Sequence, residues 1–288
     1  MKIFTSIADY QAWRGDITDR VVFVPTMGAL HQGHGSLITL ARRLAGGTGK
    51  VVASIFVNPT QFAAGEDFGK YPRTLDTDRA MLESLSADVL FLPDEKQMYP
   101  HSGDLPRVIP GRIATLYEGA DRPGHFEGVC TVVAKLLNII QPAVLILGQK
   151  DFQQQAIVAA MLSSLNFPVT LMVAPTIRQA DGLAMSSRNR YLSPEQREKA
   201  PALYRALRWA ADEIKQGRCD ATALNQTMRT TIESAGMVCR YALICDRHTL
   251  APVTGRAHRD NVILGAAILG ATRLLDNVLV DESNQAAA

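Results

Sequence analysis

Short, nearly unbroken runs of Val, Ile and Leu alternate along the chain with segments whose apolar residues recur every three or four positions. Val21-Val22-Phe23-Val24 reads as a strand ending at Pro25, and Gly28 and Gly33 precede a helical pattern over about 34–44. Residues 51–57 form the next strand pattern, stopped by Asn58-Pro59, before a helix over about 73–86 and a short strand at 89–92. An irregular stretch follows. Beyond it come a helix over about 129–140, a strand at 144–147, a helix over 152–165 and a strand at 169–173. Strands apolar on both faces and separated by helices predict a parallel sheet covered on both sides. Right-handed crossovers then give an α/β, Rossmann-like doubly wound domain over residues 1–177.

Residues 178–288 read as a smaller α+β domain. Ser193-Pro194-Glu195 opens a helix, with serine as its cap and proline at the first helical position. Leu203, Leu207, Ala210 and Ile214 follow at helical spacing as a core stripe. A helix over 221–234 and strand-like runs at 241–245 and 262–268 complete this part, and the tail from Asp281 to Ala288 is expected to fray.

Composition narrows the partners more than the fold. The 288 residues are 47% hydrophobic and 20% charged, which suits a protein with a sizeable core. A formal charge of +2 gives no broad basic field, so neither nucleic acid nor an anionic membrane is an expected partner. Residues 129–147 are the most apolar long stretch, but Lys135, Asn138, Gln141 and Pro142 interrupt any membrane span there. The start, Met1 to Thr5, lacks the apolar region of a secretory signal. Cys130, Cys219, Cys239 and Cys245 form no C-x-x-C pair, and reduced thiols in a cytoplasmic protein are the expectation.

Ligands in doubly wound sheets bind at the carboxyl ends of the strands. After the first of these strands stands Pro25-Thr26-Met27-Gly28-Ala29-Leu30-His31-Gln32-Gly33-His34. A helix starting near Gly33-His34 places both imidazoles beside its N-terminal N–H groups and positive dipole end, which suits a phosphate. The same spacing is open to a metal pair and to histidines that only start a helix; H-x-x-H lacks the glutamate of H-E-x-x-H. Gly46-Gly47-Thr48-Gly49-Lys50 imitates a Walker loop, but Val51 replaces the required hydroxyl and a strand follows, so it reads as a turn. After strand 144–147, Gly148-Gln149-Lys150-Asp151 offers a close backbone, a cation for phosphate and a carboxylate for ribose hydroxyls, or simply a helix cap. Met185-Ser186-Ser187-Arg188-Asn189 supplies hydroxyls and a guanidinium to triphosphate oxygens, or is a polar linker.

Together these segments resemble the signatures of class I aminoacyl-tRNA synthetase-like nucleotidyltransferases. The likeness extends to Asn58-Pro59-Thr60-Gln61-Phe62, Tyr71-Pro72-Arg73-Thr74-Leu75-Asp76, Arg122 to Val129, Gly148 to Asp151, Asp181 to Asn189 and Thr272 to Asn277. In that order they resemble the pantothenate synthetase family over nearly the whole chain. The resemblance implies a two-step ligation through a pantoyl adenylate, with pantoate, β-alanine and ATP as substrates, Mg²⁺ accompanying ATP, and a homodimer paired through the N-terminal domain.

By position it implies His34 as the catalytic histidine, His31 as its assistant, and Lys150 and Arg188 as carriers of phosphoryl charge. Thr26, Met27, Gly28, Ala29, Leu30, His31, Gln32, Gly33 and His34 would line the ATP site. Gly148, Gln149, Lys150 and Asp151 would hold ribose and phosphates, Ile177 would meet adenine, and Met185, Ser186, Ser187 and Arg188 would close over the phosphates with the C-terminal domain. Gln61 and Gln154 would bind pantoate, with Gln61 bordering β-alanine. No protein metal site is implied, although Asp76 or Asp78 could assist Mg²⁺ or cap a helix. Val132, Val133 and Leu136 either wall the gem-dimethyl group of pantoate or pack the core. His125 belongs to a family-like segment of open role, whereas His101, His248 and His258 match no motif. Three positions depart from the family's habit: Gly35 for leucine, Gln32 for glutamate and Ala143 for aspartate.

Overall fold

Six parallel strands build the sheet of the first unit in the order β1-β4-β3-β2-β5-β6. This computed structural model describes residues 1–63, 65–100 and 105–281. The expectation of a frayed tail therefore lies outside the described residues for 282–288, as does His101. The chain divides into Met1–Gly148 with Gln153–Ala174, and Gln149–Phe152 with Pro175–Ala288. The sequence places a single break after 177 instead.

The elements run β1 (Lys2–Phe4), α1 (Ile7–Gly15), β2 (Val21–Thr26), α2 (Gln32–Ala45), β3 (Lys50–Ile55), α3 (Leu75–Ser84), β4 (Val89–Phe91) and α4 (Glu95–Met98). Then come α5 (Glu118–Asp121), α6 (His125–Ile140), β5 (Val144–Gly148), α7 (Phe152–Ser164) and β6 (Thr170–Ala174). Successive strand residues face opposite sides. Phe23 accordingly joins Val129, Val133 and Leu137 of α6 in one apolar layer, and Val22 and Val24 join Leu37, Ile38 and Ala41 of α2 in the other. Burying each such side chain contributes about 1.5–3 kcal/mol.

The strand order reverses between β2 and β5, and the ladders show what this does. β2 pairs with β3 from Val21↔Lys50 through Thr26↔Ile55. With β5 it pairs only at Val22↔Val144 and Phe23↔Leu145. Beyond Phe23 the ladder on that side stops, so the carboxyl ends of β2 and β5 flank the crevice where such sheets bind ligands. Two details differ from the sequence pattern. β1 and α1 carry almost no apolar signal, since Tyr10 is the buried residue of α1 and β1 is largely exposed. Helix α6 starts four residues early because Gly124, at φ +82°, turns the chain into it. The Gly46 run is a turn, as the sequence reads it, and joins α2 to β3.

In the second unit, α8 (Pro194–Lys199), α9 (Ala202–Lys215) and α10 (Ala221–Ser234) precede an antiparallel sheet of β7 (Val238–Asp246), β8 (Asn261–Leu269) and β9 (Thr272–Leu279). Leu203, Leu207 and Ile214 of α9 pack with Met228 and Ile232 of α10 on Ile244, Ile263 and Val278 of the sheet. Ser193 and Gln196 form a reciprocal capping box at the start of α8. The apolar pattern does not show that the helical run breaks at Pro201, which has no N–H to continue the ladder. It also passes over β9, whose alternation is half polar, although Gly270 at φ +62° marks a tight hairpin before it.

Candidate active site

The β2–α2 loop is held from below by a carboxylate. Gly28 and Ala29 both adopt positive φ, +82° and +50°. That exposes consecutive N–H groups, and Asp78 of α3 takes them: Ala29 N–H donates to Oδ2 at 2.9 Å and Leu30 N–H to Oδ1 at 2.8 Å. Thr74 Oγ donates to the same Oδ1 at 3.0 Å. Asp78 is 1% exposed. Gly28 is required twice over, by its φ and because a Cβ there would lie 3.1 Å from Asp78 Oδ2. Thr26 closes the other end, its hydroxyl donating to Ser54 O at 2.7 Å and accepting from Gly28 N–H.

At the end of this loop the two histidines cap helix α2. His31, in extended backbone, is the N-cap residue; its Nδ1 accepts from Gly33 N–H at 3.1 Å, and His34 Nδ1 accepts from His31 N–H at 3.3 Å. The ring centroids lie 4.1 Å apart. A ring whose Nδ1 accepts carries its proton on Nε2 when neutral, so the capping box fixes both tautomers as Nε2–H donors. The sequence places the helix start near Gly33-His34 with bare N–H groups for phosphate. The structure starts it at Gln32 and spends the N–H groups of His31 and Gly33 on the imidazoles themselves. Gly35, a departure from the family's habit, lies where α3 approaches: a Cβ there would sit 3.3 Å from Leu85 Cδ1.

Gln61 ends the 3₁₀ turn Pro59–Gln61 and reaches Met27 of the loop, Nε2 to Sδ at 3.1 Å, while its Oε1 accepts from Asn58 Nδ2 at 3.1 Å. Its backbone is clamped as well. His125 Nδ1 lies 2.8 Å from Gln61 O, and Arg122 Nη1 lies 3.0 Å from His125 Nε2. Arginine only donates, so Nε2 accepts and Nδ1–H donates to the carbonyl. Arg122 also grips Glu66 through Nε at 2.7 Å and Nη2 at 2.6 Å. Burial alone would raise the Glu66 carboxyl, but the Arg122 hydrogen bonds and charge hold it below its ordinary value. A cavity of about 450 Å³ opens beside this cluster, bordered by Thr60, Gln61, Tyr99, His125 and Thr131.

Burial, and then the Arg122 charge, push His125 down from 6.5 to about 4, against the opposing pull of the Gln61 carbonyl, Glu66 and Glu118. The folded protein keeps this ring neutral to about pH 4, while the unfolded chain takes up a proton near pH 6.5. Between those values the unfolded state binds more protons, so stability falls as pH falls, by about 1.4 kcal/mol per pH unit. Urea unfolding at pH 7 and pH 4.5 is expected to show the protein losing about 2–3 kcal/mol more than its His125→Asn variant. Equal losses would mean that His125 titrates normally.

In the second unit, Gln149–Asp151 forms a 3₁₀ turn in which Lys150 Nζ lies 3.6 Å from Asp151 Oδ1. Asn277 of β9 holds the backbone of this turn, Nδ2 donating to Gln149 O and to Lys150 O at 2.9 Å each, while Gln149 Nε2 donates back to Oδ1 at 3.1 Å. Ile177 opens a narrow hairpin: its carbonyl accepts from Met185 N–H at 2.9 Å, and Gln179 N–H bonds Leu183 O at 2.8 Å. Ser186 caps the following 3₁₀ turn Ser187–Tyr191, accepting from Arg188 N–H at 3.3 Å. Arg178 in that hairpin pairs bidentately with Asp276 at 2.7 and 2.9 Å and lies 3.7 Å from the Tyr204 ring.

Within the first unit, then, the structure brings Met27 and Gln61 into contact and seats His31 and His34 at the end of the same loop. Gln154 lies on the first turn of α7, half-buried, while its neighbour Gln153 is tied to Ile113 O, Leu116 O and Glu118 N. Val132, Val133 and Leu136 belong to the packed core. His248 and His258 are exposed, and Cys130, Cys219, Cys239 and Cys245 are free thiols. Among the described residues no cluster of three His, Cys, Asp or Glu side chains is placed to hold a metal, and no helix is long and apolar enough to cross a membrane. Sequence reasoning missed what Asp78, His125, Asp276 and Asn277 do, since nothing local marks a side chain that holds a distant loop.

Fold and site together define the class: a Rossmann-like α/β protein with two imidazole donors at its topological switch point. The family model for pantoate-beta-alanine ligase matches residues 2–279, and the chain belongs to that family. It is 51% identical over 260 residues to the pantothenate synthetase of Pseudomonas fluorescens strain Pf0-1, with 90% of each chain covered. With the pantothenate synthetase of Chromobacterium violaceum it shares 45% identity over 280 residues, 97% of this chain and 99% of the relative. The crystal structure of pantothenate synthetase from Thermus thermophilus matches with a TM-score of 0.90 at 41% identity, covering 97% of this chain and 99% of that one. Pantoate-beta-alanine ligase from Francisella tularensis, complexed with beta-gamma ATP and beta-alanine, gives 0.81 at 37% identity over 99% of both chains.

Proposed function

We propose that this protein joins (R)-pantoate to β-alanine at the expense of ATP, and the observation that carries the reading is the double-histidine cap at the switch point. In the first step the pantoate carboxylate attacks the α-phosphorus, the bond to the β-phosphate breaks, and pyrophosphate leaves pantoyl adenylate behind. In the second, the β-alanine amine attacks the acyl carbon and AMP departs with the bonding pair. The substrate brings its own nucleophile, so the protein's task is positioning and charge stabilisation.

His34 and His31 direct Nε2–H groups at oxygens of the α-phosphate, where negative charge grows in the transition state. Lys150 and Arg188 neutralise the phosphates, and Gln61 and Gln154 hydrogen-bond pantoate. Thr26 through Leu30, with Gln32 and Gly33, line the nucleotide; Gly148, Gln149 and Asp151 take ribose and phosphates. Met185, Ser186 and Ser187 contact the phosphates, and Ile177 presents its backbone to adenine. Both Asp78 oxygens serve the loop, so a Mg²⁺ accompanying ATP would be held chiefly by phosphates and water, where it would neutralise phosphate charge. A cytoplasmic homodimer paired through the N-terminal unit belongs to the same reading.

The test follows both products. Pyrophosphate release from ATP is expected to require pantoate, and AMP release to require β-alanine in addition. Pyrophosphate formed without pantoate sinks the reading, as does AMP release indifferent to β-alanine, while pantoate-dependent pyrophosphate with no AMP even when β-alanine is present points instead to an adenylyl transferase that stops at the nucleotidyl product.

A further inference from the structure

The Thr272–Asn277 segment resembles the family's sequence, yet the proposed reading gives none of its residues a substrate contact. We propose that Asn277 is a positioning residue for the first chemical step: its carboxamide sets Lys150 at the phosphates, while Asp276 beside it fixes the hairpin that carries Ile177 and Met185. The inference rests on the reading of Lys150 given above.

Asn277 is 1% exposed in the interior of β9, where a residue serving packing alone would be apolar, as Leu274 and Val278 are. A buried carboxamide is costly unless its hydrogen bonds are made. Asn277 makes them to one target: both Nδ2 protons go to successive carbonyls, Gln149 O and Lys150 O, and Oδ1 accepts from Gln149 Nε2. Three bonds from one side chain leave that turn little freedom to rotate. Lys150 is anchored by its backbone while its ammonium retains the reach of a flexible stem.

Asp276 does the corresponding work one residue earlier. It is buried, and it holds Arg178 bidentately at 2.7 and 2.9 Å. Arg178 also donates to Gly182 O at 3.1 Å and to Asn277 O at 3.3 Å. A Cβ on Gly182, at φ +94°, would fall 2.5 Å from the Tyr204 ring that the guanidinium lies over, so the hairpin is seated tightly. One dipeptide thus fixes two segments that the sequence keeps apart.

A double-mutant cycle between Asn277 and Lys150 tests this, with the rate of pyrophosphate formation in a single turnover as the readout. Lys150→Ala is expected to slow that step about 10²–10³-fold, and Asn277→Leu about 30–100-fold. The double variant is expected to be no more than about 3-fold slower than Lys150→Ala, since the carboxamide acts through the lysine. The pantoate KM is expected to stay within about 2-fold, which a general loosening of the fold would not allow. If Asn277→Leu fails to fold by circular dichroism, Asn277→Ser, which keeps one donor, enters the same cycle with a drop of about 5–10-fold. Losses that multiply in the double variant overturn the inference and leave the Lys150 reading standing. An unimpaired Lys150→Ala removes that reading, and the inference with it.

Discussion

Replacing His34 by alanine is expected to lower turnover by about 10²–10³-fold while ATP affinity falls by less than about tenfold. In the proposed reading the imidazole donates to the α-phosphate, and a donor aimed where charge develops gains most of its strength in the transition state. Alanine also deprives His31 N–H of its acceptor, because His34 Nδ1 is half of the capping box. His34→Asn separates the two effects. Its side-chain oxygen can take the place of Nδ1 and keep the cap, leaving stability within about 1 kcal/mol, while the Nε2–H donor is gone. Steady-state kinetics together with calorimetric binding of a non-hydrolysable ATP analogue decides the matter. Equal losses in turnover and affinity would make His34 a ground-state ligand, and recovery of turnover in His34→Asn would give the credit to the cap.

Asp78→Ala is expected to cost about 3–5 kcal/mol of stability, the largest effect among these single changes. The carboxylate accepts from two backbone N–H groups, those of Ala29 and Leu30, and from the Thr74 hydroxyl, in a buried site that offers no replacement. Each buried donor left without a partner costs about 1–3 kcal/mol. Asp78→Asn is expected to be nearly as harmful, because one oxygen becomes an amide whose protons confront an N–H. Chemical denaturation at neutral pH measures both. A loss below about 1 kcal/mol would show that Gly28 and Ala29 hold the loop by their own backbone preference.

Apolar periodicity reports which face of an element is buried, and it located the strands of the parallel sheet and most of its helices well. It is silent where burial is slight, as in β1 and α1, and where an apolar run crosses a proline, as at Pro201. The Thr26–His34 segment was legible because a strand, two glycines and a helix start sit within ten residues. The clamps were not. Asp78 reaches Leu30 across 48 positions, His125 reaches Gln61 across 64, and Asn277 reaches Gln149 across 128. Bonds over such spans are created by the fold, and a carboxylate in the first turn of a helix looks the same whether it caps that helix or pins another loop.

The bond between Asn277 and the Gln149–Lys150 turn has a consequence for biogenesis. A ribosome releases Lys150 long before it adds residue 277, so during most of synthesis the two carbonyls of that turn lack the amide that fixes them. A chain halted between residues 174 and 277 already contains every strand of the parallel sheet and both capping histidines, yet its lysine turn lacks the Asn277 carboxamide. On the proposed reading of Lys150, the turn that serves the phosphates is therefore completed only once β9 has been made.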